Sequence, residues 1–268
     1  MKLVWHVTLT RDSAGRLDDA APLWAAVETY AAKIARPGTE VELGFLDRTA
    51  EAMKYAAVMM LNGAIVVEDI RARAAAGADA VLLAATGEPG LLEARGAVDI
   101  PVVGSVEAGL AMSQFLGTRV GVITINGPYT QIIARNLHRY QQTARLIGSD
   151  PVRSFDLSWD MVAETLAGNP DRLVGAFLPV LEGLVRDGAD VIVGGGQIFG
   201  ALLDHIGYEP GPVPFVDGAA AGLKTLESLV DLRQTVGLRT SDAPSSPFRR
   251  VPDDELDAGY DALYSVRR

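Results

Sequence analysis

The sequence predicts an α/β protein made of two pseudo-symmetric three-layer αβα halves, each with a parallel sheet, and a cleft between them. Short apolar runs alternate with longer helical stretches, which is the pattern of βαβ units. Several of those runs are continuous rather than alternating (AVLLAA, VGVIT, VIVGG), as strands covered by helices on both faces require. One block is also repeated. Gly77-Ala78-Asp79-Ala80-Val81-Leu82-Leu83 matches Gly188-Ala189-Asp190-Val191-Ile192-Val193-Gly194, 111 residues further on. Each copy runs into a glycine-containing loop and then a helix and second short strand, IPVVGSVEAGL in the first and VPFVDGAAAGL in the second.

Taken in order, strands are expected at 2–8, 40–45, 80–84, 102–103, 120–124, 191–194 and 215–216. Helices are expected at 21–35, 51–76, 106–115, 129–142 and 172–186. The first half then covers 1–117, completed by about 218–238, and the second covers 118–217. Residues 239–252, rich in Ser, Pro and charge, read as an extended linker. The last stretch, 253–266, can form a short helix carrying Leu256, Tyr260, Leu263 and Tyr264, either as a frayed terminus or as a strap on a neighbouring subunit. It belongs with a C-terminal extension at 239–268.

The chain has 268 residues and a net charge of −10, with 49% hydrophobic and 22% charged residues, an ordinary globular composition. An acidic surface repels phosphate backbones and anionic lipid, so neither nucleic acid nor a membrane is an expected partner. The N-terminal MKLVWHVTLTRDS lacks the apolar core of a signal peptide, and the apolar stretch at 55–67 is short and broken by Asn62 and Gly63. The cytoplasm is therefore the expected location. There is no cysteine, which excludes disulfides, thiolate metal sites and cysteine nucleophiles. The three histidines, His6, His138 and His205, have no metal-ligand spacing, and no dinucleotide or phosphate-loop fingerprint follows a strand. Gly104-Ser105-Val106-Glu107-Ala108-Gly109 is not a nucleophile elbow. No metal and no cofactor is expected.

Facing halves would bring the strand-end loops to a shared cleft, where α/β proteins bind ligands. Ala85-Thr86-Gly87 and Gly196-Gln197 each lead toward a helix, whose N–H groups can hold a carboxylate or a developing oxyanion. The hydroxyls of Thr86 and Tyr129 and the amide of Gln197 would add donors. The simpler alternative is that the glycines permit tight turns and Thr86 caps its helix. Thr124 and Asn126 belong to a further strand-end loop. Glu88 follows the first loop directly. In a pocket of low dielectric its pKa would rise and it could shuttle a proton; otherwise it is an exposed residue favoured by a helix dipole. Glu107 and Asp217 read as caps and hinge contacts. His6 can serve as an acid or base near neutral pH, or it is a packed strand residue.

The repeated blocks, with GADAVLLAATGEPGLLEAR and GADVIVGGGQIFGALL, resemble the aspartate/glutamate racemase superfamily, and hydantoin racemases most closely, over most of residues 1–230. Racemases of that family carry one cysteine after each of the two matched strands. Those positions are Ala85 and Gly196 here, so two-thiol racemisation is excluded. The superfamily also contains arylmalonate decarboxylases, whose hydroxyl-bearing first loop resembles Thr86. Their Pro-Tyr pair, shared with maleate isomerases, resembles Pro128-Tyr129. On the same resemblance His6 and Thr8 take positions that contact substrate. The resemblance implies a small carboxylate or cyclic amide as ligand and a homo-oligomer, with the helix around 53–67 as an interface or as core. With no thiol, the expected chemistry is that of a cofactor-independent lyase or decarboxylase acting through an enolate-type intermediate. The alternatives are a racemase or isomerase with a non-thiol base (Glu88, His6 or Tyr129) and a non-catalytic binding protein.

Overall fold

The computed structural model describes residues 1–14, 20–50, 53–196 and 198–265. In the first half, β1 (Lys2–Val7), β2 (Glu40–Phe45), β3 (Ala80–Leu83) and β4 (Val102–Gly104) form a parallel sheet in the order β2-β1-β3-β4. In the second, β5 (Val120–Ile125), β6 (Val152–Phe155), β7 (Val191–Gly194) and β8 (Phe215–Asp217) form another in the order β6-β5-β7-β8. The two orders are the same, so the duplicated block in the sequence is a duplicated sheet in space.

Each residue type in that block has a visible function. Gly77 and Gly188 sit at φ +91° and +95°, a conformation that favours glycine, and end the preceding helices α2 (Ala56–Ala75) and α7 (Asp171–Arg186). Asp79 accepts the N–H of Lys2 at 2.7 Å, and Asp190 accepts those of Thr118 and Arg119 at 2.8 and 2.7 Å. Each aspartate thus ties down the start of its sheet's first strand. The apolar residues that follow are buried on both faces of the sheet.

The covering helices are α1 (Ala21–Ile34), α2, α3 (Leu91–Ala97) and α4 (Ser105–Ser113) in the first half. The second half has α5 (Gly127–Arg139), α6 (Trp159–Leu166), α7 and α8 (Phe199–His205). Helix α9 (Gly218–Val236) returns to pack on α4, β3 and β4. The crossing of α4 and α9 depends on small residues: a Cβ on Gly218 would overlap the backbone O of Ser105, and one on Gly222 would overlap the Leu82 side chain.

Two expectations need correction. Helix α2 begins at Ala56 rather than at 51, which leaves Met53, Lys54 and Tyr55 in a turn. Strand β6 was not expected at all, because only its ends, Val152 and Phe155, are buried while Arg153 and Ser154 between them are not. The chain's last helix, α10 (Asp253–Ser265), lies on α2 of its own chain. Tyr260 donates to the carbonyl of Ala64 at 3.0 Å, Tyr264 to Glu68 at 2.7 Å, and Arg71 pairs with Asp257 at 2.8 Å. Among the described residues, no helix is long and apolar enough to cross a membrane.

Candidate active site

The carboxyl ends of β1, β3, β5 and β7 open on one cleft of about 630 Å³ between the halves. Strand ends gather there because both sheets are parallel and face each other at the same edge. Thr8 and Leu9 follow β1, Ala85, Thr86 and Gly87 follow β3, Ile125 and Asn126 end β5, and Gly196 follows β7. The loops touch across the divide. Thr86 Oγ1 lies 3.5 Å from the carbonyl of Gly195, and Asn136 on α5 donates to the carbonyl of Gly87 at 3.3 Å. Among the described residues, the N–H groups of Thr86, Gly87 and Gly196 make no hydrogen bond.

Asn126 adopts φ +56° at the N-terminus of α5, and its side chain accepts the N–H of Leu157 at 3.1 Å rather than one from the helix. Tyr129, in the first turn of α5, lines the cleft and is half-buried; burial pushes its phenol above the usual range. Of the residues singled out from sequence, Thr8, Ala85, Thr86, Gly87, Asn126, Tyr129 and Gly196 line this one space. Gln197 lies outside the described residues.

Three residues are placed elsewhere. Thr124 is buried within β5 and does not reach the cleft, because successive strand residues face opposite sides and the strand runs one residue further than expected. His6 is wholly buried against α2, with Nε2 2.9 Å from Asp69 Oδ2. Burial opposes the charge on Asp69, but hydrogen bonds from His6 and Arg73 hold its pKa below the usual value. Glu88 turns away from the cleft. Its Oε1 accepts the N–H groups of Val106 and Glu107 at 2.7 and 3.1 Å, and its Oε2 accepts the hydroxyl of Tyr140. Burial pushes its pKa up to about 7 against these bonds. Glu88 is not the exposed helix residue of the simpler reading, since α3 starts only at Leu91 and Glu88 sits in the loop at φ +47°. The same delayed start means that Thr86 caps no helix and that the Thr86 and Gly87 N–H groups belong to a turn.

Sequence reasoning missed Lys54, Tyr55, Met59, Ser158 and Trp159, all of which line the cleft. Lys54 is the only charged side chain among the described lining residues. It was hidden by the over-long helix expected at 51–76. Ser158 and Trp159 follow the unforeseen β6, and the cap signal at Ser158, which accepts the N–H of Met161 at 3.2 Å, could have located them. Glu107 pairs with Arg95, Asp217 caps α9, and His138 and His205 are exposed. No cluster of metal-ligating side chains occurs among the described residues.

Twin parallel α/β sheets with a donor-lined cleft at their facing strand ends define a small-molecule enzyme scaffold. The Asp/Glu/Hydantoin racemase family profile matches residues 23–226, and the chain belongs to that family. A hydantoin racemase from Pseudomonas sp. (strain NS671) is 30% identical over 184 residues, covering 67% of this chain and 70% of that one. An allantoin racemase structure from Klebsiella pneumoniae superposes with a TM-score of 0.77 at 24% identity, covering 94% of each chain. One from Pseudomonas fluorescens gives 0.73 at 25% identity, covering 94% of this chain and 97% of the other. These relatives are racemases, so isomerase-type chemistry takes precedence over the lyase expectation.

Proposed function

We propose that the chain is a cofactor-independent isomerase that removes and returns the proton on the carbon beside a carbonyl in a hydantoin-class cyclic amide. The observation that carries this reading is the chemistry of the cleft lining. It offers N–H groups at Thr86, Gly87 and Gly196, unbonded among the described residues, to an enolate oxygen, and Tyr129 lines the same cleft as a proton carrier. Among the described residues it holds no carboxylate, so the ammonium of a free amino acid would lose water without gaining a counter-charge. A neutral ring avoids that cost. Leu9, Met59, Ile125, Leu157, Trp159 and Phe199 supply apolar surface for a large ring substituent.

Because the side chains of Ala85 and Gly196 have no ionisable proton, the two-sided thiol exchange of the family's racemases has no counterpart here. Tyr129 serves one face of the ring, and Lys54 at the cleft edge serves the other, directly or through water. The same missing thiols are the specific observation that favours a lyase, in which the substrate's own leaving group replaces one proton transfer.

The test is incubation with single enantiomers of 5-substituted hydantoins in D₂O, followed by polarimetry and proton NMR. Loss of rotation with deuterium entering the ring carbon is the expected result, and Tyr129→Phe should lower the rate about 100-fold or more. Inert hydantoins together with CO₂ release from substituted malonates would replace this reading with the lyase. Binding without either reaction would leave a non-catalytic protein.

A further inference from the structure

Two buried carboxylates, Glu88 and Asp217, occupy equivalent places in the two halves although they come from different parts of the chain. The blocks Ile100-Pro101-Val102-Val103-Gly104 and Val213-Pro214-Phe215-Val216-Asp217 set Asp217 opposite Gly104. Gly104 has no side chain, and a Cβ built there would overlap Oε1 of Glu88. Glu88 therefore brings its carboxylate from the neighbouring loop into the space that the Asp217 side chain fills in the second half.

The surroundings match as well. Glu88 caps α4 through Val106 and Glu107, and Asp217 caps α9 by accepting the N–H of Ala220 at 2.9 Å. Each then accepts one phenol. Tyr140 donates to Glu88, and Tyr30 donates to Asp217 at 3.0 Å. Tyr30 lies on α1 and Tyr140 directly follows α5, and these helices each follow the first strand of their half. In both pairs the tyrosine and the carboxylate belong to opposite halves.

We propose that Glu88–Tyr140 and Asp217–Tyr30 are paired interlocks that hold the two halves closed about the cleft. Each tie crosses the divide once, and the two cross in opposite directions. A hinge opening that separates α5 from the Glu88 loop, or α1 from the end of β8, withdraws a donor from the carboxylate there. Among the described residues, no cation pairs directly with either carboxylate. Around Glu88 the other charges are Glu107, itself paired with Arg95, and Arg139 beyond Tyr140; around Asp217 they are Asp204 and its partner Lys33. The Tyr140 phenol serves Oε2 of Glu88, which the α4 N–H groups leave unmet, and the Tyr30 phenol joins the Ala220 N–H on Oδ2 of Asp217, whose Oδ1 has no partner among the described residues. The Glu88 tie also fixes the loop that presents Ala85, Thr86 and Gly87 to the cleft.

The test uses ligand-free protein and does not depend on the substrate. Trp5 and Trp24 are buried and Trp159 lines the cleft, so acrylamide quenching of tryptophan fluorescence reports cleft access. Small-angle scattering reports the separation of the halves. Losing one hydrogen bond to a carboxylate should shift the closed–open ratio about tenfold toward open, and losing both about a hundredfold. Tyr30→Phe/Tyr140→Phe should therefore raise both the quenching constant and the radius of gyration, and each single change should do so in part. Tyr260→Phe, whose hydroxyl ties the C-terminal helix to the first half and does not cross the cleft, should change neither. A cooperatively melting double variant with unchanged quenching and scattering would overturn the proposal and leave the tyrosines as local packing. If the double variant does not fold, the two single variants are judged by the same readings.

Discussion

The loops after β3 and β7 start from the same repeated block and finish differently. The first, residues 84–90, is a turn built around Glu88 and Gly90, both at positive φ, and α3 begins only at Leu91. The second is shorter, residues 195–198, with Gly195, Gly196 and Ile198 described, and α8 begins at Phe199. The first loop must supply the carboxylate that caps the later helix, because the strand end at Gly104 is bare. In the second half Asp217 supplies it from the strand itself. A buried helix N-terminus needs an acceptor at one point in space, and different parts of the chain can deliver it. The scaffold is therefore symmetric while the loops that frame the cleft are not: the first carries a carboxylate to a helix end, and among the described residues of the second, Gly195, Gly196 and Ile198, none does.

Putting thiols back should have the largest effect on that asymmetry. A Cβ on Gly196 finds nothing closer than 3.7 Å, so Gly196→Cys fits, whereas one on Gly195 would come within 2.9 Å of Ile133 Cδ1. Ala85→Cys/Gly196→Cys should raise hydantoin racemisation about 100-fold or more over the parent chain, read by polarimetry. An Ala85→Cys/Gly195→Cys control should gain far less. Equal gains would mean that the two loops are not related as the repeat places them.

Next in size is the contrast between Gly218 and Ser105, equivalent positions at the α4–α9 crossing. Gly218→Ala drives a methyl into the Ser105 carbonyl and should cost about 1–3 kcal/mol in urea unfolding. Ser105→Ala should stay within about 0.5 kcal/mol, since its buried hydroxyl has no partner among the described residues. A mild Gly218→Ala would show that the crossing tolerates wider spacing.

The buried carboxylates give a pH dependence. Burial raises Glu88 from 4.5 to about 7 and Asp217 from 3.8 to about 6. The folded state thus holds protons that the unfolded chain has released, and this contribution is present at acid pH and lost as pH rises through 6 and 7. Glu88→Gln should accordingly gain stability relative to the parent between pH 5 and pH 8. A gain in the opposite direction in urea titrations would mean that Glu88 is ionised well below neutral pH in the fold. A modest effect is expected of Tyr260→Phe, about 1 kcal/mol in urea unfolding, because it loses a single neutral hydrogen bond between α10 and α2.

Most strands could be read from the sequence because a strand buried on both faces leaves a continuous apolar run, as at 80–83 and 191–194. β6 could not, since its middle residues are only half-buried and its pattern resembles a loop. Seven of the site residues taken from strand-end loops do meet in the cleft, because position after a parallel strand fixes which edge a loop joins. Side-chain direction was harder to read. Thr124 and Thr8 look alike in the sequence, yet only Thr8 reaches the cleft.

By itself the sequence determined the twin α/β scaffold, the repeat that relates its halves, and the absence of any thiol from the cleft. These follow from local periodicity, from internal identity and from composition, and each can be read without knowing what touches what. Tertiary structure alone decided that Glu88 turns from the cleft to α4, that Lys54 and Trp159 join the lining, and that Tyr30 and Tyr140 cross between halves. Those outcomes depend on contacts between residues far apart in the chain, such as Tyr30 with Asp217 at a separation of 187 residues. Burial and hydrogen-bond demand at a helix end select such partners, and neither leaves a mark on the short-range pattern of the chain.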